Sequence, residues 1–121
     1  AVTGVQTCAL PISMWDGIAA DSSADPLLRD LATILSMARQ IDQGDASRAE
    51  ARLRPLTETG NPWRPLAREQ LALLSVREGK FDEARWVLEA LATDTTAPAG
   101  VRNRATAMLS RLSLGVAGDR G

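Results

Sequence analysis

The sequence predicts an all-α fold built from antiparallel helix pairs stacked on one another. Two stretches repeat each other at a separation of 35 residues, which is close to the period of stacked helix–turn–helix repeats. Apolar residues recur at helical spacing, and no segment shows the alternation typical of a strand. Such stacks usually present a surface to a partner. The corresponding residues, which we expect to pack the helix pairs, are Gly44 and Gly79, Ala49 and Ala84, and Leu53 and Leu88.

The segment before the first predicted helix differs from the rest of the chain. Residues 2–12 resemble the conceptual translation of a sequencing adapter, so we treat residues 1–12 as an artefactual segment. A natural N-terminal strand or a signal-peptide remnant is the alternative, although the segment lacks the charged start and apolar core of a signal. The helical domain is then expected to span residues 13–114, to lack its true N-terminus and to end in a flexible tail over residues 115–121.

Two helices are predicted before residue 44. Apolar residues between Ser13 and Ala20 have the spacing of two helical turns. Asp25-Pro26 then supplies a capping carboxylate followed by a residue that has no amide to satisfy. Gly44 ends the second helix, because glycine accepts the left-handed conformation common at helix ends. The apolar face of this helix is broad and comprises Leu27, Leu28, Leu31, Ile34, Leu35, Ala38 and Ile41.

The third predicted helix starts after Asp45, whose carboxylate can cap it. Pro55 removes one backbone hydrogen bond near the end of this helix, so we expect a kink or a loosened last turn there. The inward residues are Ala46, Ala49, Leu53 and Leu56.

The second half of the chain repeats this arrangement. Asn-Pro at residues 61–62 repeats the helix start, Gly79 repeats the helix end, and another helix follows over residues 81–91. A turn over residues 95–97 precedes a final helix that begins at Pro98. The sequence therefore predicts five helices and a truncated helical stub.

Composition excludes several kinds of function. The chain has no His and one Cys, so it cannot form the usual zinc or copper site, a Ser-His-Asp triad or an intrachain disulfide. A formal net charge of −1 and only three Trp, one Phe and no Tyr argue against nucleic-acid binding. The sequence contains neither a glycine-rich phosphate loop nor an apolar run long enough to span a membrane. We therefore expect no catalysis, cofactor or metal, and a protein as the partner.

The first helix of each pair is expected to line the concave face of the stack. That face is largely apolar and forms a groove for a hydrophobic segment, either of a partner or of the missing N-terminal part of the chain. The alternative is that these residues pack against one another within a tight superhelix. The predicted groove residues are Leu31, Ile34, Ala38 and Ile41 from the first pair, and Leu66, Glu69, Leu73 and Val76 from the second.

Trp63 and Arg64 have two interpretations. They are a possible binding hot spot, since Trp and Arg are enriched at such places. The alternative, which the sequence favours, is that Trp63 packs over the turn at residues 55–59 while Arg64 caps backbone carbonyl groups.

Trp86 and two acidic residues near it are also ambiguous. For Trp86, core packing or a half-covered outer face is the simpler interpretation than ligand contact. Asp82 and Glu83 diverge by about 100° around their helix. Both also suit the positive N-terminal end of the helix dipole, which argues against a pair of catalytic carboxylates.

Residues 79–84, GKFDEA, resemble the turn between the two helices of the tetratricopeptide repeat family. An Ala followed four residues later by Leu, as at Ala49 and Leu53, resembles the family's small-large pair on the second helix. The chain departs from the family in lacking its Trp and Tyr on the first helix, and its close-packing Gly is Met37 or Ala72 here. The resemblance implies a short right-handed superhelix and a non-catalytic, protein-binding role.

Residues 25–32, 60–64 and 67–73 resemble the C-terminal part of a narrower bacterial group, the ancillary SecYEG translocon subunit and cell division coordinator proteins. That resemblance implies an inner-membrane anchor before this fragment, a periplasmic repeat domain, and partners among the translocon or envelope chaperones.

Other functions stay open alongside this one. The chain could be a regulatory helical domain of a cytoplasmic protein, or an accessory domain of an enzyme whose catalytic part is missing. A structural role through self-association at Trp15 is a third. Because repeat stacks need about three repeats and polar end caps, we expect the fragment to be marginally stable or prone to associate.

Overall fold

The computed structural model describes residues 12–42, 46–58 and 60–120, and every regular element in these ranges is helical. The all-α prediction is therefore confirmed for the described residues. The chain divides into two compact units, an N-terminal unit (Ala1–Leu53) and a C-terminal unit (Arg54–Gly121), where the sequence suggested a single domain. The elements are α1 (Ile12–Ala20), α2 (Pro26–Asp42), α3 (Ala46–Leu53), a 3₁₀ helix η1 (Arg54–Thr57), α4 (Arg64–Arg77), α5 (Phe81–Ala92) and α6 (Ala99–Arg120).

In the N-terminal unit, α2 packs against both α1 and α3. The predicted start of α2 is confirmed, because Asp25 Oδ1 accepts a hydrogen bond of 2.8 Å from the amide of Leu27. One side of α2 is buried, and its largest fully buried side chain is Met37. The buried apolar residues of this unit are Ala32, Ile34, Met37, Ile41, Ala49 and Leu53.

A polar contact fixes α1 to α2. The buried Ser36 hydroxyl donates to Asp16 Oδ1 at 2.5 Å, and Gln40 Nε2 donates to the Ser36 hydroxyl at 3.2 Å. Arg52 on α3 also approaches the same carboxylate, with 3.9 Å between Nη1 and Oδ1. The short first helix is therefore held by specific side-chain contacts as well as by apolar packing.

In the C-terminal unit, α5 packs against α4 and α6. The core is aliphatic, and Leu66, Val76, Val87, Ala92, Met108 and Leu109 pack around it in partly buried positions. Burying aliphatic side chains supplies most of the driving force for such an arrangement. The core residues are Ala72, Ala84, Leu88, Leu91, Val101, Ala105 and Leu112.

The turn between α4 and α5 confirms the role predicted for Gly79. Its φ of 78° lies in the left-handed region that favours glycine. The amide of Gly79 bonds the carbonyl of Val76 at 3.1 Å, and the amide of Lys80 bonds the carbonyl of Ser75 at 2.8 Å. These two bonds are the Schellman motif, which satisfies carbonyl groups left free at a helix end.

Pro55 ends regular α-helix as expected. The chain after Leu53 continues as η1, whose tighter winding suits a proline that cannot donate to the preceding turn. Leu56 stays buried in η1, so its predicted inward position holds.

The prediction that α4 starts at Pro62 is wrong by two residues. Asn61 Oδ1 does accept a hydrogen bond of 2.8 Å from the amide of Trp63, as a capping residue would. The carbonyl of Asn61, however, accepts the amide of Arg64 at 3.1 Å, which makes residues 61–64 a turn. The helix begins only at Arg64, with Pro65 in its first turn.

The helix α6 continues to Arg120 and so includes most of the residues that were expected to form a flexible tail. Gly44 and residues 1–11 lie outside the described residues. Within the described ranges, no helix is both long and apolar enough to cross a membrane.

Candidate interaction surfaces

Four of the six residues predicted to pack the helix pairs are buried, whereas Gly79 is exposed in its turn and Gly44 lies outside the described residues. Ala49, Leu53 and Ala84 are 0% exposed and Leu88 is 1% exposed. Ala84 and Leu88 belong to the core of the C-terminal unit. A small residue at the position of Ala84 lets neighbouring helices approach closely, and the larger Leu88 fills the space one turn later.

The outward sector of α2 is apolar. Leu27 and Leu28 are each 47% exposed and Leu35 is 36% exposed, although one side of the same helix is buried. Residues 28, 31, 35 and 38 follow the spacing of neighbours along one helix face. Leu31 and Ala38 lie on this sector in half-buried positions. We call Leu28, Leu31, Leu35 and Ala38 the α2 sector.

The α2 sector overlaps the predicted groove only in part. Leu31 and Ala38 were predicted groove residues and belong to it. Ile34 and Ile41 are on the buried side of α2 and are not accessible to a ligand. The apolar pattern on α2 is too broad for one helix pairing to cover. This breadth was the signal in the sequence that Leu28 and Leu35 would stay exposed.

Most of the groove residues predicted in α4 pack within the C-terminal unit itself. Leu66 and Val76 pack against its core, and Leu73 is half-buried. This placement corresponds to the alternative in which such residues pack within the fold.

Glu69 was predicted on the same face, and its side chain is only 7% exposed. Its carboxylate accepts two hydrogen bonds from Arg104 on α6, at 2.7 Å from Nε and 2.9 Å from Nη2. This two-bond geometry matches the planar guanidinium to the carboxylate. Hydrogen bonding to Glu69 raises the pKa of Arg104, and partial burial of the guanidinium opposes this only in part.

Arg64 makes the contact expected of a structural residue. Its Nε donates to the carbonyl of Thr57 at 2.9 Å, which joins the start of α4 to η1. Trp63 next to it is half-buried, and its backbone amide donates a hydrogen bond to Asn61 Oδ1. Arg64 therefore caps a backbone carbonyl, as its structural interpretation requires.

Trp86 stands out from the surface of α5. It is 69% exposed, so core packing is wrong for this residue. Trp86 lies on the outer face and is less covered than the half-covered position that was predicted. It borders a pocket of about 190 Å³, well below the volume of usual cofactor sites. The pocket is lined by Arg54 and Thr57 of η1, Arg68 and Leu71 of α4, and Trp86 and Val87 of α5.

The electrostatics around this pocket are asymmetric. Burial lowers the pKa of Arg68, and the neighbouring Arg64 charge lowers it further, while the more weakly acting Asp94 opposes both. Asp94 itself is held by Thr96, whose hydroxyl and amide donate to its carboxylate at 2.6 and 2.9 Å and lower its pKa. The Arg68 guanidinium is thus partly removed from water without full compensation by an anion.

The two acidic residues at the start of α5 are exposed. Asp82 pairs with Arg85 at 3.3 Å, and Glu83 lies beside it in the first turn, where the helix dipole favours negative charge. Among the described residues, no group of three or more His, Cys, Asp or Glu side chains is placed to hold a metal ion.

These features define a helical protein that carries exposed apolar and aromatic side chains on the outer faces of its helices. No family model, curated protein or solved structure matches this chain. A function has therefore to be inferred from the surfaces themselves.

Proposed function

We propose that this chain is part of a non-catalytic protein-interaction scaffold, in which helix pairs stack as a short tetratricopeptide-like right-handed superhelix. The 35-residue self-similarity supports the stacking, as do the Schellman turn at Gly79 and the buried small residues Ala49 and Ala84. The observation that carries the proposal is the apolar α2 sector.

An exposed apolar helix face favours a protein partner. Fully burying one Leu side chain contributes roughly 1.5–3 kcal/mol of favourable free energy. Leu28 and Leu35 remain exposed, so they have gained only part of this free energy on folding. Contiguous apolar surface on a soluble protein commonly marks an interaction site. A partner that covered the α2 sector would gain this free energy without any rearrangement of α2.

The resemblance of residues 60–64 and 67–73 supports a more specific version. In it, the chain is the exported repeat domain of an inner-membrane-anchored bacterial envelope protein, and it binds translocon components or envelope chaperones. The alternative is a helical accessory or regulatory domain of a cytoplasmic protein or of an enzyme encoded by a longer gene.

Site-specific photo-crosslinking in living bacteria tests the scaffold. A photo-crosslinking amino acid replaces Leu28 or Leu35 in the full-length protein, and adducts are identified by mass spectrometry. We expect the same partner protein at both positions. A matched probe replaces the exposed Arg111, which is not part of the apolar sector, and should give no such adduct.

The identity of the adduct separates the alternatives. A translocon subunit or envelope chaperone supports the envelope version, and a cytoplasmic protein supports the second. Absence of any adduct at both leucines, in a protein that is expressed and folded, contradicts the scaffold proposal.

A further inference from the structure

The pocket beside Trp86 combines a cation with an apolar wall. Leu71 and Val87 form the aliphatic part and Trp86 adds an exposed aromatic ring, while Arg68 and Arg54 supply positive charge. The antiparallel packing of α4 and α5 brings these residues together although they are far apart in sequence. A volume of about 190 Å³ suits inserted side chains better than a cofactor.

The polar groups at the opposite edge are already engaged. The Thr57 hydroxyl donates a hydrogen bond to the carbonyl of Arg54 at 2.6 Å. The Thr57 carbonyl accepts a hydrogen bond from Arg64 Nε. No carboxylate is among the six lining residues. The pocket therefore presents positive charge and apolar surface to a ligand, and little else.

From this combination we propose that the Trp86 pocket binds an internal segment of a partner protein in which an acidic side chain lies next to an aliphatic or aromatic one. The carboxylate pairs with Arg68, and the apolar side chain lies against Leu71, Val87 and Trp86. The inference rests on the proposed scaffold function and names the chemistry of one of its ligands.

Burial and charge explain why an anion is favoured here. Partial burial of Arg68 weakens its hydration, and Asp94 compensates less than burial and Arg64 cost. A carboxylate brought by a ligand would supply the missing opposite charge in a partly desolvated place, where charge-assisted hydrogen bonds are strong. Trp and Arg together are also the residue types most enriched at binding hot spots.

The exposed carboxylates of α5 set a limit on the ligand. Glu83 and Glu89 lie within one helical turn of Trp86, and Asp82 beside them is paired with Arg85. A uniformly acidic ligand would therefore meet net negative charge on that side. A segment with a single acidic residue followed by apolar residues avoids this repulsion. The pocket thus selects a mixed sequence over a polyanion.

Fluorescence anisotropy with defined peptides tests the proposal. The probe is a fluorescein-labelled ten-residue peptide with one central Glu flanked by Leu and Phe, its termini blocked so that no terminal carboxylate is present. The comparison peptide carries Gln in place of that Glu. We expect the Glu peptide to bind the full chain about tenfold more tightly than the Gln peptide, and less tightly as salt is added.

Three variants assign the contact. Arg68→Gln should lose most of the preference for the Glu peptide, since Arg54 is then the only cation left among the lining residues. Arg68→Lys should keep more of that preference. Trp86→Ala should weaken both peptides by about tenfold or more. Arg111→Gln, which removes an exposed Arg outside the pocket, should change neither affinity. Circular dichroism of each variant confirms that it is folded.

Equal affinity of the intact chain for the two peptides, or no affinity for either, overturns the proposal. So does an Arg68→Gln variant that prefers the Glu peptide as strongly as the original chain does, or a labelled oligouridylate that binds more tightly than the Glu peptide. If crosslinks form at Leu28 and Leu35 but any of these outcomes is observed, the pocket proposal is contradicted and the scaffold proposal is still supported. Absence of those crosslinks would contradict the scaffold proposal itself.

Discussion

Among single residues, Glu69 shows how a tertiary partner changes the meaning of a side chain. In the sequence it interrupts an apolar face and looks like an exposed groove residue. In the structure it is buried and held by two hydrogen bonds from Arg104, which lies 35 residues later in the chain. A carboxylate is tolerated in such a place only because a cation accompanies it.

Removing the cation should leave a buried charge without its partner. We expect Arg104→Met to lower the free energy of unfolding by about 2 kcal/mol. The value is below that of a fully buried pair because the Arg104 side chain is 57% exposed, and water can partly replace it. Urea denaturation followed by far-ultraviolet circular dichroism measures the change.

Two further variants complete this measurement. The double variant Glu69→Met with Arg104→Met should be more stable than Arg104→Met alone, since it also removes the buried charge. Arg111→Met, an exposed Arg on the same helix, should change stability by less than about 0.5 kcal/mol. If Arg104→Met and Arg111→Met have equal effects, the pair does not stabilise the fold.

At the scale of elements, helix ends were predicted best where a single residue fixes the backbone. Gly79 has a positive φ and is followed by the two hydrogen bonds of a Schellman motif. At the other end of α4, a local rule misplaced the helix start, because the Asn61 side chain and carbonyl form a turn before the helix begins. Capping residues in the sequence therefore predict the approximate position of a helix more reliably than they predict its first residue.

Alanine at two glycines should have opposite effects. Gly79→Ala is expected to lower the free energy of unfolding by about 1–2 kcal/mol, since a side chain disfavours the left-handed conformation. A Cβ there would meet no atom within 4 Å, so backbone strain is the only cost. Gly17→Ala, inside α1 and equally uncrowded, should raise stability by up to about 1 kcal/mol.

Thermal melts followed by circular dichroism compare these two variants with the original chain. Gly79→Asn should lie between Gly79→Ala and the original chain, because Asn tolerates the left-handed conformation better than Ala does. A Gly79→Ala variant as stable as the original would mean that the turn does not hold the conformation described.

For the molecule as a whole, several large apolar side chains are exposed among the described residues. Met14, Leu28, Leu35 and Trp86 are all exposed, and each unit carries some of them. The sequence led us to expect a chain that is prone to associate, and these side chains are the surface through which association would occur.

Light scattering should therefore show a mean mass that rises with protein concentration. We expect the variant with Leu28→Glu and Leu35→Glu to reduce this rise, because charge replaces apolar contact on the α2 sector. Arg111→Glu changes the net charge by the same amount at an exposed polar position and should leave the rise largely unchanged. A clean monomer at high concentration in the original chain contradicts the prediction.

The sequence alone was sufficient for the helical class, for most helix positions and for the buried Ala49 and Ala84. These follow from local rules, since apolar spacing, proline and glycine act within a few residues of the chain. The groove was predicted less well. Its residues were assigned by analogy between the two repeats, whereas burial of Ile34 or Glu69 depends on what packs opposite them.

Periodicity, caps and composition determined that this chain is helical, that its helices pair, and that it lacks the residues for common zinc sites and for His-dependent catalysis. Only the tertiary structure decided that Glu69 is paired with Arg104, that Trp86 is exposed, and that Leu28 and Leu35 remain uncovered. The physical reason is that hydrogen bonding and apolar spacing are local along the chain. Burial and charge pairing depend on residues that folding brings together from distant positions.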